Sequence, residues 1–132
     1  MIFIDTSVWI YFFRGSDPNI VEKVRHFLDQ DLVALASIVH LELISGAKLN
    51  EIQQLKRVLS ALPTFYPQKG TWKRIEDWIE PGIKSGQRFG IADLLIASTT
   101  AEHQGELWSL DSDFKRMEKL GFVKCLHPDR TS

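Results

Sequence analysis

Apolar positions along the chain fall into short uninterrupted runs that alternate with longer stretches at helical spacing. Ile2, Phe3 and Ile4 form the first run and predict a buried strand. Thr6 or Ser7 has the side chain to cap a helix that begins at Val8 and runs towards Arg14 and Gly15. Asp17 followed by Pro18 has the form of a second helix start, with Ile20, Val21, Val24, Phe27 and Leu28 at core spacing behind it. A second strand is expected over 32–36, then a helix capped by Ser37 to about 49. A further helix over 50–61 carries Ile52, Leu55, Val58 and Leu59 on one face.

Pro63 and Pro67 break this pattern and leave room for a short third strand. Trp72, Ile75, Trp78 and Ile79 mark an amphipathic helix that should end before a loop over 82–90. The next helix, 91–103, is the most apolar in the chain. A strand over 107–110, a helix over 114–120 stopped by Gly121 and a last strand over 122–126 complete the pattern. Strands separated by helices imply an α/β chain with a mainly parallel sheet covered on both faces.

Composition narrows the function classes. The chain of 132 residues is 44% hydrophobic and 25% charged, which excludes a disordered or fibrous class and suits one globular domain over 1–132. A net charge of −1, evenly spread along the chain, rules out a general basic coat for nucleic acid but not a local basic patch. Cys125 is the only cysteine, so no internal disulfide forms and a reducing, cytoplasmic setting is expected. The apolar N-terminus has no basic leader, is interrupted by Asp5 and is followed by no cleavage site, and no apolar run reaches the length of a membrane span.

The informative residues are acids in apolar surroundings. Asp5 directly follows the first strand, at the carboxyl end where open α/β sheets place ligands, although Asp is also a good helix cap. Glu42 has Ile38, Val39, Ser45 and Gly46 as its helical neighbours, so it needs a partner from elsewhere. Asp93 is embedded in the apolar helix Gly90-Ile-Ala-Asp-Leu-Leu-Ile-Ala97, with nothing basic close by downstream. Asp111 repeats the strand-end position of Asp5, and Asp113 follows at a helix start where capping is the plainer role.

Two strand-end acids and two acids on early helical turns can face one edge of a parallel sheet. Their mutual repulsion calls for a hard divalent cation, because local basic partners are too few. All-carboxylate ligation without His or Cys favours Mg²⁺, with Mn²⁺ as the alternative, over zinc or copper. Such an ion suits phosphodiester hydrolysis by an activated water that attacks phosphorus in line.

The segments Asp5-Thr-Ser-Val-Trp9 with Arg14-Gly15, Glu42-Leu43 with Gly46, Gly90-Ile-Ala-Asp-Leu-Leu-Ile-Ala97 and Ser109-Leu-Asp-Ser-Asp-Phe114 resemble the PIN domain. More closely, they are similar to the VapC ribonuclease toxins of type II toxin-antitoxin modules. The resemblance implies a three-layer α/β/α fold and a metal-dependent endoribonuclease, usually dimeric and restrained by a cognate antitoxin. It assigns Asp5, Glu42, Asp93 and Asp111 to the acidic quartet, with Asp113 accessory and Thr6 and Ser109 as hydroxyls that orient the acids. Ser109 departs from the commoner Thr but keeps the hydroxyl. On this reading Asp5 and Asp93 hold the principal metal, and Glu42 and Asp111 bind through waters or hold a second ion.

Arg14, Lys84, Arg88 and Lys115 lie nearest in sequence to the acidic segments and are the candidate RNA contacts. The four tryptophans, Trp9, Trp72, Trp78 and Trp108, can stack on bases, but their spacing favours the core. The Leu- and Ile-rich helices between 21 and 62 offer a surface for a dimer partner or an antitoxin helix. A phosphoacceptor receiver domain is disfavoured by the lack of a Lys after a late strand. A phosphatase is disfavoured by Ser at position 7, where a second acid is needed. A PIN-type nuclease acting in RNA processing or on DNA, and a non-catalytic acidic module that binds a metal or a partner, remain the alternatives.

Overall fold

Five parallel strands in the order β3-β2-β1-β4-β5 form the sheet of the computed structural model, which describes residues 1–128. The central strand β1 (Ile2–Ile4) is apolar at every position and buried throughout, as a strand covered on both faces must be. It pairs with β2 (Val33–Ala36) on one side and β4 (Glu106–Trp108) on the other. The outer strands β3 (Thr64–Phe65) and β5 (Lys124–Cys125) have two residues each.

From β1 the chain steps outward to β2 and then β3, and afterwards returns across that half of the sheet to lay β4 against the free side of β1. Because parallel crossovers are right-handed, this change of direction puts the earlier and later helices on opposite faces. Ring contacts mark the two faces. Phe27 in α2 (Pro18–Asp29) meets Trp108, which registers with Ile4, whereas His103, just past α6 (Ile91–Glu102), meets Phe3. Adjacent residues of a strand point to opposite faces, so the sheet is the middle of three layers. The switch in strand order falls between β1 and β4, where the carboxyl ends of both strands open into a crevice.

Several element limits differ from the sequence expectation. Helix α1 (Thr6–Arg14) starts two residues early, because Val8 and Trp9 donate their N–H groups to the Asp5 carbonyl. Helix α3 (Ser37–Ser45) stops before 49. A short 3-10 turn (Leu49–Glu51) follows, held by Glu51 accepting the Lys48 N–H at 2.9 Å, and leads into α4 (Ile52–Ser60). Helix α5 (Lys69–Lys84) contains Pro81 and runs into the 82–90 segment expected to be a loop. There Gly82 lies against the Phe89 ring and its carbonyl accepts the Gln87 N–H. Helix α7 (Ser112–Lys119) begins before Phe114 and stops ahead of Gly121, whose φ of 79° favours a glycine.

Asp17 caps α2 as expected, accepting from the Asn19 and Ile20 N–H groups. Cys125 fills β5, where burial and then the Glu118 charge push its thiol up to about 11, an inert state. Trp9 and Trp108 are core residues and Trp78 stacks on Phe122, which leaves Trp72 as the exposed tryptophan.

Gly105 allows β4 to approach β1. A Cβ placed there would lie 2.8 Å from two ring atoms of Phe3 and 3.2 Å from the Met1 carbonyl. Phe3 has no room to yield, because it is fully buried and packs against the Phe65 and His103 rings. Gly105→Ala should therefore destabilise the protein by about 1–3 kcal/mol in urea titrations, and a wild-type midpoint would contradict this packing.

Candidate metal centre

The crevice at the carboxyl ends of β1 and β4 receives acids from four parts of the chain. Asp5 leaves β1, Glu42 projects from α3, Asp93 lies in the first turn of α6, and Asp111 and Asp113 begin α7. Asp93, Asp111 and Asp113 each offer an oxygen within 4.8 Å of the others. Asp5 and Glu42 lie beside this trio. Both raise the pKa of Asp93 by charge, which brings all five carboxylates into one field.

Hydroxyl groups hold the deeper acids. Asp5 is 6% exposed, and its Oδ2 accepts from Ser109 Oγ at 2.7 Å and Ser7 Oγ at 2.9 Å. Although Asp5 occupies the N-cap position of α1, its side chain makes no capping bond. Thr6 Oγ1 donates to Glu42 Oε1 at 2.7 Å and so ties α1 to α3. Thr6 and Ser7, about 100° apart on the helix, thus serve two different acids. Ser7 was not among the expected site residues. Its signal was a hydroxyl two positions after a strand-end acid, where a cap was the simpler reading.

The capping role expected of Asp113 belongs instead to Asp111, whose Oδ1 accepts the Asp113 N–H at 3.0 Å. Asp113 brings an oxygen to Asp93 and Asp111 and also accepts from Arg116 Nη1 at 2.6 Å. Among the described residues this is the one ion pair made by the five acids. Asp93 accepts no hydrogen bond among the described residues and follows a Gly90 N-cap. Burial pushes its carboxyl up to about 6, reinforced by Asp111, Asp5, Asp113 and Glu42 in that order.

This donor set suits a hard divalent cation. It consists of carboxylate oxygens without His or Cys, is under-compensated by basic groups, and has helix N-termini behind Asp93 and Asp111 to temper the charge. The candidate RNA contacts are more dispersed. Arg14 ends α1, roughly 12 Å along the axis from Thr6. Lys84 pairs with Glu80 at 3.1 Å, whereas Arg88 and Lys115 are exposed beside the segments that carry Asp93 and Asp113.

The family model described as PIN domain matches residues 2–120 of the chain, which include every one of these acids. The chain belongs to the PIN domain family. This PIN domain is similar to Ribonuclease VapC11 of Mycobacterium tuberculosis, with 29% identity over 91% of this chain and 93% of that protein. Solved structures share the fold. VapBC2 from Rickettsia felis, bound to a DNA fragment from its promoter, matches with a TM-score of 0.78 and 21% identity, covering 96% of this chain and 98% of that one. VapBC-1 from nontypeable Haemophilus influenzae matches with a TM-score of 0.75 and 21% identity over 96% of this chain and 97% of that one.

The raised Asp93 pKa gives this PIN domain a testable pH dependence. A carboxyl whose folded value exceeds its unfolded value of about 3.9 binds its proton more tightly in the native state. Its stabilising contribution is present at low pH and is lost as pH rises through about 6. In chelator, the melting temperature should therefore fall between pH 5 and pH 7.5. Asp93→Asn should flatten that fall and melt higher than wild type at pH 7.5, and parallel pH profiles for the two proteins would refute the effect.

Proposed function

We propose that this PIN domain is a divalent-metal-dependent endoribonuclease that serves as the toxin of a toxin-antitoxin pair, working as one unit over 1–132 in the cytoplasm. The observation that carries the enzymatic reading is the convergence of Asp5, Glu42, Asp93, Asp111 and Asp113 on one crevice where, among the described residues, only Arg116 is in ion-pair contact with them. Likeness to a VapC ribonuclease along most of the chain supports RNA as the substrate. The VapBC complexes among the fold neighbours support an antitoxin as the partner. No helix among the described residues is long and apolar enough to cross a membrane.

Asp5, Asp93, Asp111 and Asp113 would hold Mg²⁺, or Mn²⁺ in its place, with Glu42 facing the same set. The bound ion supplies charge neutralisation for the phosphate and activation of a water for in-line attack. The chain's own part is to fix the acids. Ser109 and Ser7 hold Asp5 through one oxygen and, among the described residues, leave Oδ1 without a hydrogen bond, and Thr6 restrains Glu42. Arg88 and Lys115, exposed on the segments next in sequence to Asp93 and Asp113, offer positive charge for the RNA backbone, with Arg14 and Lys84 as further candidates. Leu41 and Leu49, 63% and 89% exposed on and just after α3, support a partner surface there for a second copy or for the antitoxin.

The test is to incubate the purified protein with total RNA and with matched DNA, in Mg²⁺, Mn²⁺ or chelator, beside Asp5→Asn and Asp93→Asn. Discrete RNA cleavage that requires metal is expected. Each variant should lose more than the roughly 10–100-fold typical of groups that only orient a ligand. Cleavage of DNA alone, or unchanged RNA cleavage by both variants, would overturn the assignment.

A further inference from the structure

Ser7 makes as many connections in the crevice as Ser109, and more than Thr6 beside it. Its hydroxyl carries a single proton, which goes to Asp5 Oδ2 at 2.9 Å, and its lone pairs accept the Leu110 N–H at 3.1 Å. Ser109 makes the parallel arrangement, donating to the same Oδ2 at 2.7 Å and accepting the Asp111 N–H at 3.0 Å. The two hydroxyls lie 3.4 Å apart, with both protons committed to the carboxylate. Two successive amides of the turn between β4 and α7 are therefore fastened to one oxygen of Asp5, each through a serine.

The two serines differ in where they stand. Ser109 belongs to the same turn as the amide that it receives, so its bond to Asp111 is local. Ser7 belongs to α1, and its bond to Leu110 joins positions 103 residues apart in sequence. Without it, this turn would keep only the Ser109 hydroxyl and the Asp5 N–H bond to Trp108 as hydrogen-bonded ties to the Asp5 segment.

We propose that Ser7 is a positioning residue that locks the turn carrying Asp111 and Asp113 to Asp5, so that acids from two strands present free oxygens at one place. The inference rests on the metal-centre reading given under Proposed function. A hydroxyl at this position does two jobs at once, as donor to a carboxylate and acceptor from an amide. A methyl does neither, and a thiol does both weakly.

The experiment measures Mn²⁺ affinity by calorimetry for wild type, Ser7→Ala, Ser7→Cys, Ser7→Thr and Asp93→Asn, with melting in chelator and RNA cleavage recorded beside it. Ser7→Ala is expected to bind Mn²⁺ about tenfold or more weakly, within the range for groups that orient ligands. Its kcat should fall while KM for RNA stays near wild type, and its fold should survive in chelator. Ser7→Cys should show a smaller loss, and Ser7→Thr, which retains the hydroxyl, should recover most of the affinity. If Ser7→Ala is too unstable to measure, Ser7→Cys against Ser7→Thr decides the matter. Wild-type Mn²⁺ affinity in Ser7→Ala or Ser7→Cys would overturn the proposal. Failure of the wild type itself to bind Mn²⁺ would instead bring down the metal-centre reading.

Discussion

Repulsion between like charges governs this molecule's crevice. Five carboxylates are drawn to the carboxyl ends of β1 and β4, and a fold left to minimise its own electrostatic energy would not collect them there. Apart from Arg116 on Asp113, the chain opposes the repulsion with neutral donors: hydroxyls of Thr6, Ser7 and Ser109, the N-terminus of α6 and the amides that open α7. Neutral donors fix position without cancelling net charge. Asp93 has no hydrogen bond among the described residues, and burial first, then the residual field of the other acids, makes its carboxyl reluctant to ionise. The arrangement is preorganised for a cation and costly without one.

Much of the layered fold is readable from periodicity, because strands covered on both faces appear as short solid apolar runs and helices as stripes. Ile2–Ile4 and the apolar stretch through Ile96 are of this kind. Element limits are less legible where a tertiary contact overrides local chemistry. The Pro81-Gly82 pair has every local mark of a stop, yet the helix continues for two residues with Gly82 packed against Phe89. The end of α3 is hidden for the opposite reason, since the apolar spacing carries on through a change of axis at Gly46.

The acids themselves stand out in sequence because each is a charge in apolar company. Their division of labour does not, since capping and ligand binding make the same local demand for an oxygen. Asp111 and Asp113 are two residues apart on one helix start, and only the observed hydrogen bond distinguishes the cap from its neighbour. Ser7 is obscure in the same way. A serine after a strand reads as a helix start, and its partner amide at Leu110 is brought near only by the pairing of β1 with β4.

That pairing also sets an order of assembly. During synthesis β1 emerges from the ribosome before the other four strands but stays without its second neighbour until Glu106–Trp108 has been made. A nascent or truncated chain that ends short of this point has Asp5 and Glu42 but no opposing turn to meet them. The destructive capacity proposed for the molecule is therefore withheld from copies that lack β4, and it arrives at the moment this strand closes against β1.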